Sequence, residues 1–193
     1  MPTIIEELVE SIHRCDYAKL NDREIARLMF VLDPCFIFRD NRIVGFRILN
    51  SIASWFRLPL GSVKIAGSAQ TGFSPIKKRE FKFGESDLDI AIVSPILYQK
   101  YWEIVYESTN GYVDKTRFKV GDDFDQFIGN LQNGFFRPDL MPSCKEKTDW
   151  SNFFKGISNQ HSTIFKNINA GIYFSERFFE FKQMSALALL RKQ

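Results

Sequence analysis

One six-residue run, Leu88-Asp-Ile-Ala-Ile-Val93, constrains the fold of this chain most. It is apolar almost throughout and rich in β-branched residues, so it predicts a strand buried on both faces of a sheet. Asp87 and Asp89 stand at its entry. Side chains two apart on a strand project from one face, so the two carboxylates share a face. An earlier run, Val63 to Ala66, predicts a shorter strand that ends at Gly67-Ser68.

Two neighbouring carboxylates repel unless a cation offsets their charge. A hard divalent ion does so, and Mg²⁺ commonly takes one or two carboxylates together with substrate phosphates. A Gly-Ser turn offers backbone N–H groups and a hydroxyl to a phosphate, with no Cβ in the way at Gly67. A phosphate cradle beside a metal-binding pair points to phosphoryl or nucleotidyl transfer. The plainer alternative is a buried strand whose entry carries two exposed aspartates.

The two motifs in order, Gly67-Ser68 and then Ser86-Asp-Leu-Asp-Ile90, resemble the DNA polymerase β-like nucleotidyltransferase superfamily, whose signature is a Gly-Ser turn followed by an Asp-x-Asp strand. The resemblance is carried by Val63 to Val93 and reaches the flanking helices only in outline. It implies an α+β fold, a mixed β-sheet flanked by helices. It also implies in-line transfer of a nucleoside monophosphate from a nucleoside triphosphate to an acceptor hydroxyl, with release of pyrophosphate. Two Mg²⁺ (or Mn²⁺) ions would be held by three carboxylates, of which Asp87 and Asp89 would be two. Gly67 and Ser68, with Ser86, would bind the nucleotide phosphates.

The third carboxylate of that pattern sits on a later strand. The best later strand here, Ile168 to Phe174, carries no acid; Asn169 is its nearest ligand-capable residue. Glu176 follows it at the start of a helix, and Asp114 is available if Tyr112 to Val120 is a strand instead. Two readings therefore stand. One is an active nucleotidyltransferase. The other is a catalytically incomplete module that binds nucleotide, RNA or a protein partner. A kinase-like phosphotransferase has no support, because no G-x-x-x-x-G-K-[ST] loop is present.

Between Ser68 and Ser86 runs a long connection that carries Lys77, Lys78, Arg79 and Lys82 among Phe73, Phe81 and Phe83. Connections longer than about 12–15 residues are uncommon and often functional. The basic groups can meet triphosphate oxygens or an acceptor's phosphates, and the rings can stack on a base. A solvated basic hairpin anchored by Phe81 and Phe83 is the competing picture.

The flanks read as helices. Thr3 with Glu6 and Asn21 with Glu24 form capping boxes ahead of apolar faces. A third helix begins near Asp40 with Val44, Ile48, Ile52 and Trp55 on one side. Residues 1–60 thus form a helical section packed on a core of residues 61–193. In that core Ser94-Pro95 starts a helix, Phe124 to Leu131 marks another, and Phe135 to Lys147 reads as an ordered loop. A helix capped near Thr148 or Asp149 follows, and a last one after Ser175 turns Phe181, Met184 and Ala188 inward.

Composition sets outer bounds. The 193 residues include 20 phenylalanines, so the core is aromatic, and a net charge of +3 permits an anionic partner without requiring one. The 3 cysteines have no C-x-x-C spacing, which argues against a zinc site or a disulfide framework. With only 2 histidines a histidine-based site is disfavoured. No basic-then-apolar leader and no run of membrane-spanning length is present, so a cytoplasmic protein without a membrane partner is expected.

Overall fold

A computed structural model describes residues 3–119 and 123–192. Its centre is a four-stranded sheet in the order β1 (Val63–Ala66), β4 (Leu88–Val93), β6 (Ile168–Tyr173), β5 (Phe135–Phe136). β1 runs antiparallel to β4, β4 parallel to β6, and β5 antiparallel to β6, so the sheet is mixed. β4 and β6 occupy the middle, and their apolar runs are the ones buried most deeply. A separate two-stranded hairpin, β2 (Phe73–Ser74) with β3 (Arg79–Glu80), projects from the connection between β1 and β4.

Helices cover both faces. Alternation along β4 sends Leu88, Ile90 and Ile92 to one side, where they meet Ile48 and Ile52 of α3 (Arg42–Phe56). Tyr98 and Tyr101 of α5 (Pro95–Ser108), Phe127 of α6 (Asp123–Gln132) and Trp150 of α7 (Lys145–Gln160) complete that core. Its aromatics pack mostly edge to face, as between Phe127 and Phe136 at 5.2 Å. Ala91 and Tyr173 belong to the other side. There they meet Ile12 of α1 (Ile4–Tyr17), Ile25 of α2 (Asp22–Arg27), and Phe179, Leu187 and Leu190 of α8 (Glu176–Leu190). The helical stretch up to residue 60 is therefore divided: α1 and α2 lie on one face of the sheet and α3 on the other.

Local chemistry accounts for most boundaries. Both expected capping boxes are present, with Thr3 and Glu6 at α1 and Asn21 and Glu24 at α2. Ser94 caps α5 through its bond from the Leu97 N–H. α2 runs on into a π turn, Leu28–Leu32, whose Met29 carbonyl accepts from the buried Gln70 side chain at 2.9 Å. Gln70 also donates to the Asp33 carbonyl and ties this turn to α4 (Gly67–Thr71).

Several sequence expectations are corrected. Residues 112–119 form turns, not a strand; Val120 lies outside the described residues. Asp114 accepts from the Thr116 N–H and hydroxyl, a local pattern that competes with strand pairing. Phe135 and Phe136 form a short edge strand inside the stretch expected to be loop. The Phe135 ring lies where a Cβ on Gly171 would stand, 2.2 Å away, so only glycine fits that point of β6. α7 begins at Lys145, and Thr148 donates its hydroxyl back to the Cys144 carbonyl instead of capping. In α8 the inward residues are Phe179, Gln183, Leu187 and Leu190, while Phe181 is exposed. Trp55 is also largely exposed, and stacks on Phe153 at 4.4 Å. Among the described residues no helix is long and apolar enough to cross a membrane.

Candidate functional site

Strand register brings the two motifs together. Ala66, the last residue of β1, pairs with Asp89 of β4, so Gly67 follows directly beside the Asp89 side chain. Gly67 has φ +64, and a Cβ there would stand 2.6 Å from Asp89 Oδ2. The left-handed backbone angle favours glycine, and a side chain there would also push the Asp89 carboxylate aside. From Gly67 the chain turns into α4, and the Ser68 carbonyl accepts from the Gly72 N–H to close that helix.

The parallel neighbour supplies the rest. Asp89 pairs with Asn169 of β6, so the two side chains emerge side by side on one face. Asp87 lies one step before β4, and its Oδ1 accepts from Asn167 Nδ2 at 3.0 Å. The Leu88 N–H donates to the Asn167 carbonyl, which fixes the approach of the two strand entries. Ser86 is buried; its Oγ accepts from the Lys82 N–H at 3.0 Å, and it closes the turn that delivers Asp87.

Solvent reaches Asp89, yet protein atoms crowd its carboxyl group. That burial, together with the charge of Asp87, pushes the Asp89 carboxyl up to about 6, while Lys77 and Arg137 act in the opposite sense. Burial pushes the Tyr173 hydroxyl up as well, and the Asp89 charge adds to it. Asp89 is thus an acid held where its charged form is disfavoured and where a cation would be favoured. Arg137 is itself engaged by Asp139.

The other expected site residues fall as follows. Glu176 forms an ion pair with Lys64 at 3.4 Å. It does not join the aspartates: among the described residues no group of three or more His, Cys, Asp or Glu side chains is placed to hold a metal ion. Asp114 lies in the turn after α5, bonded to Thr116. Lys77, Lys78 and Arg79 lie on the hairpin, and Lys82 follows it. Sequence reasoning did not single out Asn167, and it placed Arg137 only in the loop from Phe135 to Lys147. Asn167 becomes legible only once β4 and β6 are known to be parallel, because it then precedes Ile168 beside Asp87. An open apolar groove of about 400 Å³, lined by Tyr98, Trp102, Ile128, Leu131 and Gln132, lies between α5 and α6 and includes none of these residues.

Comparison of the chain with protein-family models, curated proteins and solved structures finds no match.

Proposed function

We propose that this chain binds a nucleoside triphosphate with Mg²⁺ (or Mn²⁺) and transfers its nucleoside monophosphate to an acceptor hydroxyl, with release of pyrophosphate. The observation that carries the reading is the packing of Gly67 beside Asp89, so close that a Cβ on Gly67 would stand 2.6 Å from Asp89 Oδ2; it supports a phosphate-receiving turn next to a cation-holding acid. Asp87 and Asp89, with the Asn169 amide oxygen beside them, make a donor set of oxygens. That set suits one hard cation whose shell is completed by water and phosphate. The cation would neutralise the pair and stabilise charge on the transferring phosphorus. Gly67 and Ser68 would carry the leaving phosphates. Lys77, the hairpin lysine whose charge acts on Asp89, would face the same anion.

A second reading is favoured by one observation: Asn169, not a carboxylate, stands opposite Asp89. An amide is a weaker ligand than a carboxylate for a second Mg²⁺. On this reading the chain binds nucleotide and does not turn it over.

One experiment decides between them. The protein is incubated with each of the four ribonucleoside triphosphates and Mg²⁺, alone and with bulk tRNA; pyrophosphate is measured and the products are weighed. Release that disappears in Asp89→Asn is the expected result. Metal-dependent nucleotide binding without release would replace transfer by binding. Absence of both would overturn the assignment of the site.

A further inference from the structure

We propose that the β2–β3 hairpin and the turn after it form a docking surface for single-stranded nucleic acid, whose end supplies the acceptor hydroxyl at Asp87 and Asp89. The second clause rests on the nucleotidyl-transfer reading; the docking surface does not.

The hairpin is anchored at its base. Phe73 and Phe81 are buried at its base, and the Phe81 N–H donates to the Gly72 carbonyl at 2.7 Å. Ser74 Oγ accepts from the Lys77 N–H, and Thr71 donates its hydroxyl to the Phe73 carbonyl. The Gly84 N–H donates to the Ile164 carbonyl, which pins the following turn to the segment before β6.

Its surface is cationic and apolar at once. Lys77, Lys78, Arg79 and Lys82 are all exposed. Among the described residues only Lys82 of these four forms an ion pair, with Glu85 at 3.8 Å. Glu80 and Glu85 are the acids of the same stretch, so positive charge prevails. Lys166, also exposed, adds to it, because its N–H donates to the Ser86 carbonyl and so sets it beside that turn. Phe83 is 65% exposed, with its ring held edge-on by Phe81 at 5.5 Å. Phe81 is locked in turn against Phe165.

An exposed ring fixed by a buried one presents a face to solvent that packing does not require. Set among cations of which only Lys82 is ion-paired within the described residues, it matches the recognition of a flexible strand, in which phosphates meet lysine and arginine while a base stacks on an aromatic. A duplex offers no free base face. An anionic lipid surface would use the same charges and bury Phe83 and Ile76 instead of stacking the ring on a base, and is therefore the outcome that the vesicle arm of the test separates. Ser86 directly precedes Asp87, and it accepts from the Lys82 N–H through its Oγ and from the Lys166 N–H through its carbonyl, which sets this surface next to the aspartates.

The test is fluorescence anisotropy of labelled 12-nucleotide RNA and DNA strands, with the matching duplexes and phosphatidylserine vesicles as comparisons. It is done in EDTA without nucleotide, so an inactive catalytic site has no influence. If four phosphates are engaged, affinity should fall about 50-fold between 50 and 200 mM salt. Lys77→Ala with Lys78→Ala should remove roughly half of that salt dependence and weaken binding at least about tenfold. Phe83→Ala should weaken strand binding about tenfold and leave the salt dependence unchanged. All three residues are exposed, and circular dichroism checks that the variants keep the fold. No strand binding, duplex or vesicle binding as tight as the strand, or a salt dependence that the lysine pair does not alter would each overturn the docking surface. Strand binding without pyrophosphate release would sink only the acceptor clause.

Discussion

Two groups of acids lie on the same side of the central sheet and are treated in opposite ways. Glu180 on α8 is 1% exposed, and both of its oxygens accept from arginines, Arg27 Nε at 2.7 Å and Arg23 Nε. Burial raises the Glu180 carboxyl, but the hydrogen bonds and charges of Arg27 and Arg23 outweigh it, and the net effect holds the group below the usual carboxylate range. Among the described residues Asp87 and Asp89 accept no hydrogen bond from an arginine; Asp87 accepts from the amide of Asn167, and Arg137 acts on Asp89 only through its charge. The first arrangement is a clamp that joins α2 to α8. The second leaves negative charge facing negative charge. Glu180 is thus neutralised within the fold, whereas the repulsion between Asp87 and Asp89 is what the proposed cation would relieve.

The sharpest way to break this contrast is to remove the repelling acids. Asp87→Ala and Asp89→Ala should each lower metal-dependent pyrophosphate release by about 10³-fold or more, since the lost interaction with the cation amounts to several kcal/mol in the transition state. Neither variant should lower thermal stability. If either retains wild-type turnover, the pair is not the metal site.

Removing the neutralised acid should do the reverse. Glu180→Ala is expected to destabilise the fold by about 2–3 kcal/mol, below the range for a fully buried pair because the side chains of Arg23 and Arg27 are 41% and 51% exposed and can be rehydrated. Urea denaturation at neutral pH measures it. Because folding lowers the Glu180 pKa, its contribution is fully present above the unfolded value and is lost as pH falls through the folded one. The deficit of the variant should therefore shrink in acid. An undiminished deficit at low pH would assign the effect to packing instead of charge.

How much of this was legible in the sequence differs element by element, for physical reasons. β1 and β4 were legible because short apolar runs with sharp ends have few alternatives. The capping boxes of α1 and α2 were legible because each needs only four residues. The inward face of α8 was misread, since Phe181 and Phe179 are equally apolar and a helix that also buries Glu180 and Gln183 blurs its own stripe. β5 was missed because two residues make no period. The connection from Ala69 to Glu85 reads as one long loop, whereas the end of a five-residue helix and a hairpin of two-residue strands fill most of it. Within the site, Gly67, Asp87 and Asp89 were evident from local spacing. The places of Asn169, Asn167 and Arg137 depend on which strands pair, which no local pattern encodes.

A smaller effect sharpens the contrast from the side of stability. Folding raises the Asp89 carboxyl to about 6, above its ordinary value of 3.8. The folded state then binds more protons than the unfolded one between those values, so the charged form costs stability once pH exceeds the folded value, and the cost disappears below the unfolded one. Asp89→Asn should accordingly stabilise the protein by about 1 kcal/mol at pH 7.5, a figure reduced from the full shift because solvent reaches the side chain. At pH 3.5 it should give no gain. Saturating Mg²⁺ should erase the difference at pH 7.5 by stabilising the wild type alone. A gain independent of pH would mean that the residue is strained by packing and not by charge.

The smallest effect concerns the acid outside both groups. Glu176 is paired with Lys64, and its side chain is 46% exposed. Surface pairs of this kind contribute roughly 0–1 kcal/mol, so Glu176→Gln should shift the denaturation midpoint only slightly. Its value lies in the second readout. The same variant should change Mg²⁺-dependent nucleotide binding by less than about twofold, because a glutamate held by a lysine along β1 has no share in the cation's shell. A tenfold loss of binding, with the fold intact, would mean that α8 lends its first residue to the aspartates when the nucleotide arrives, and the two groups of acids would then be coupled through that helix.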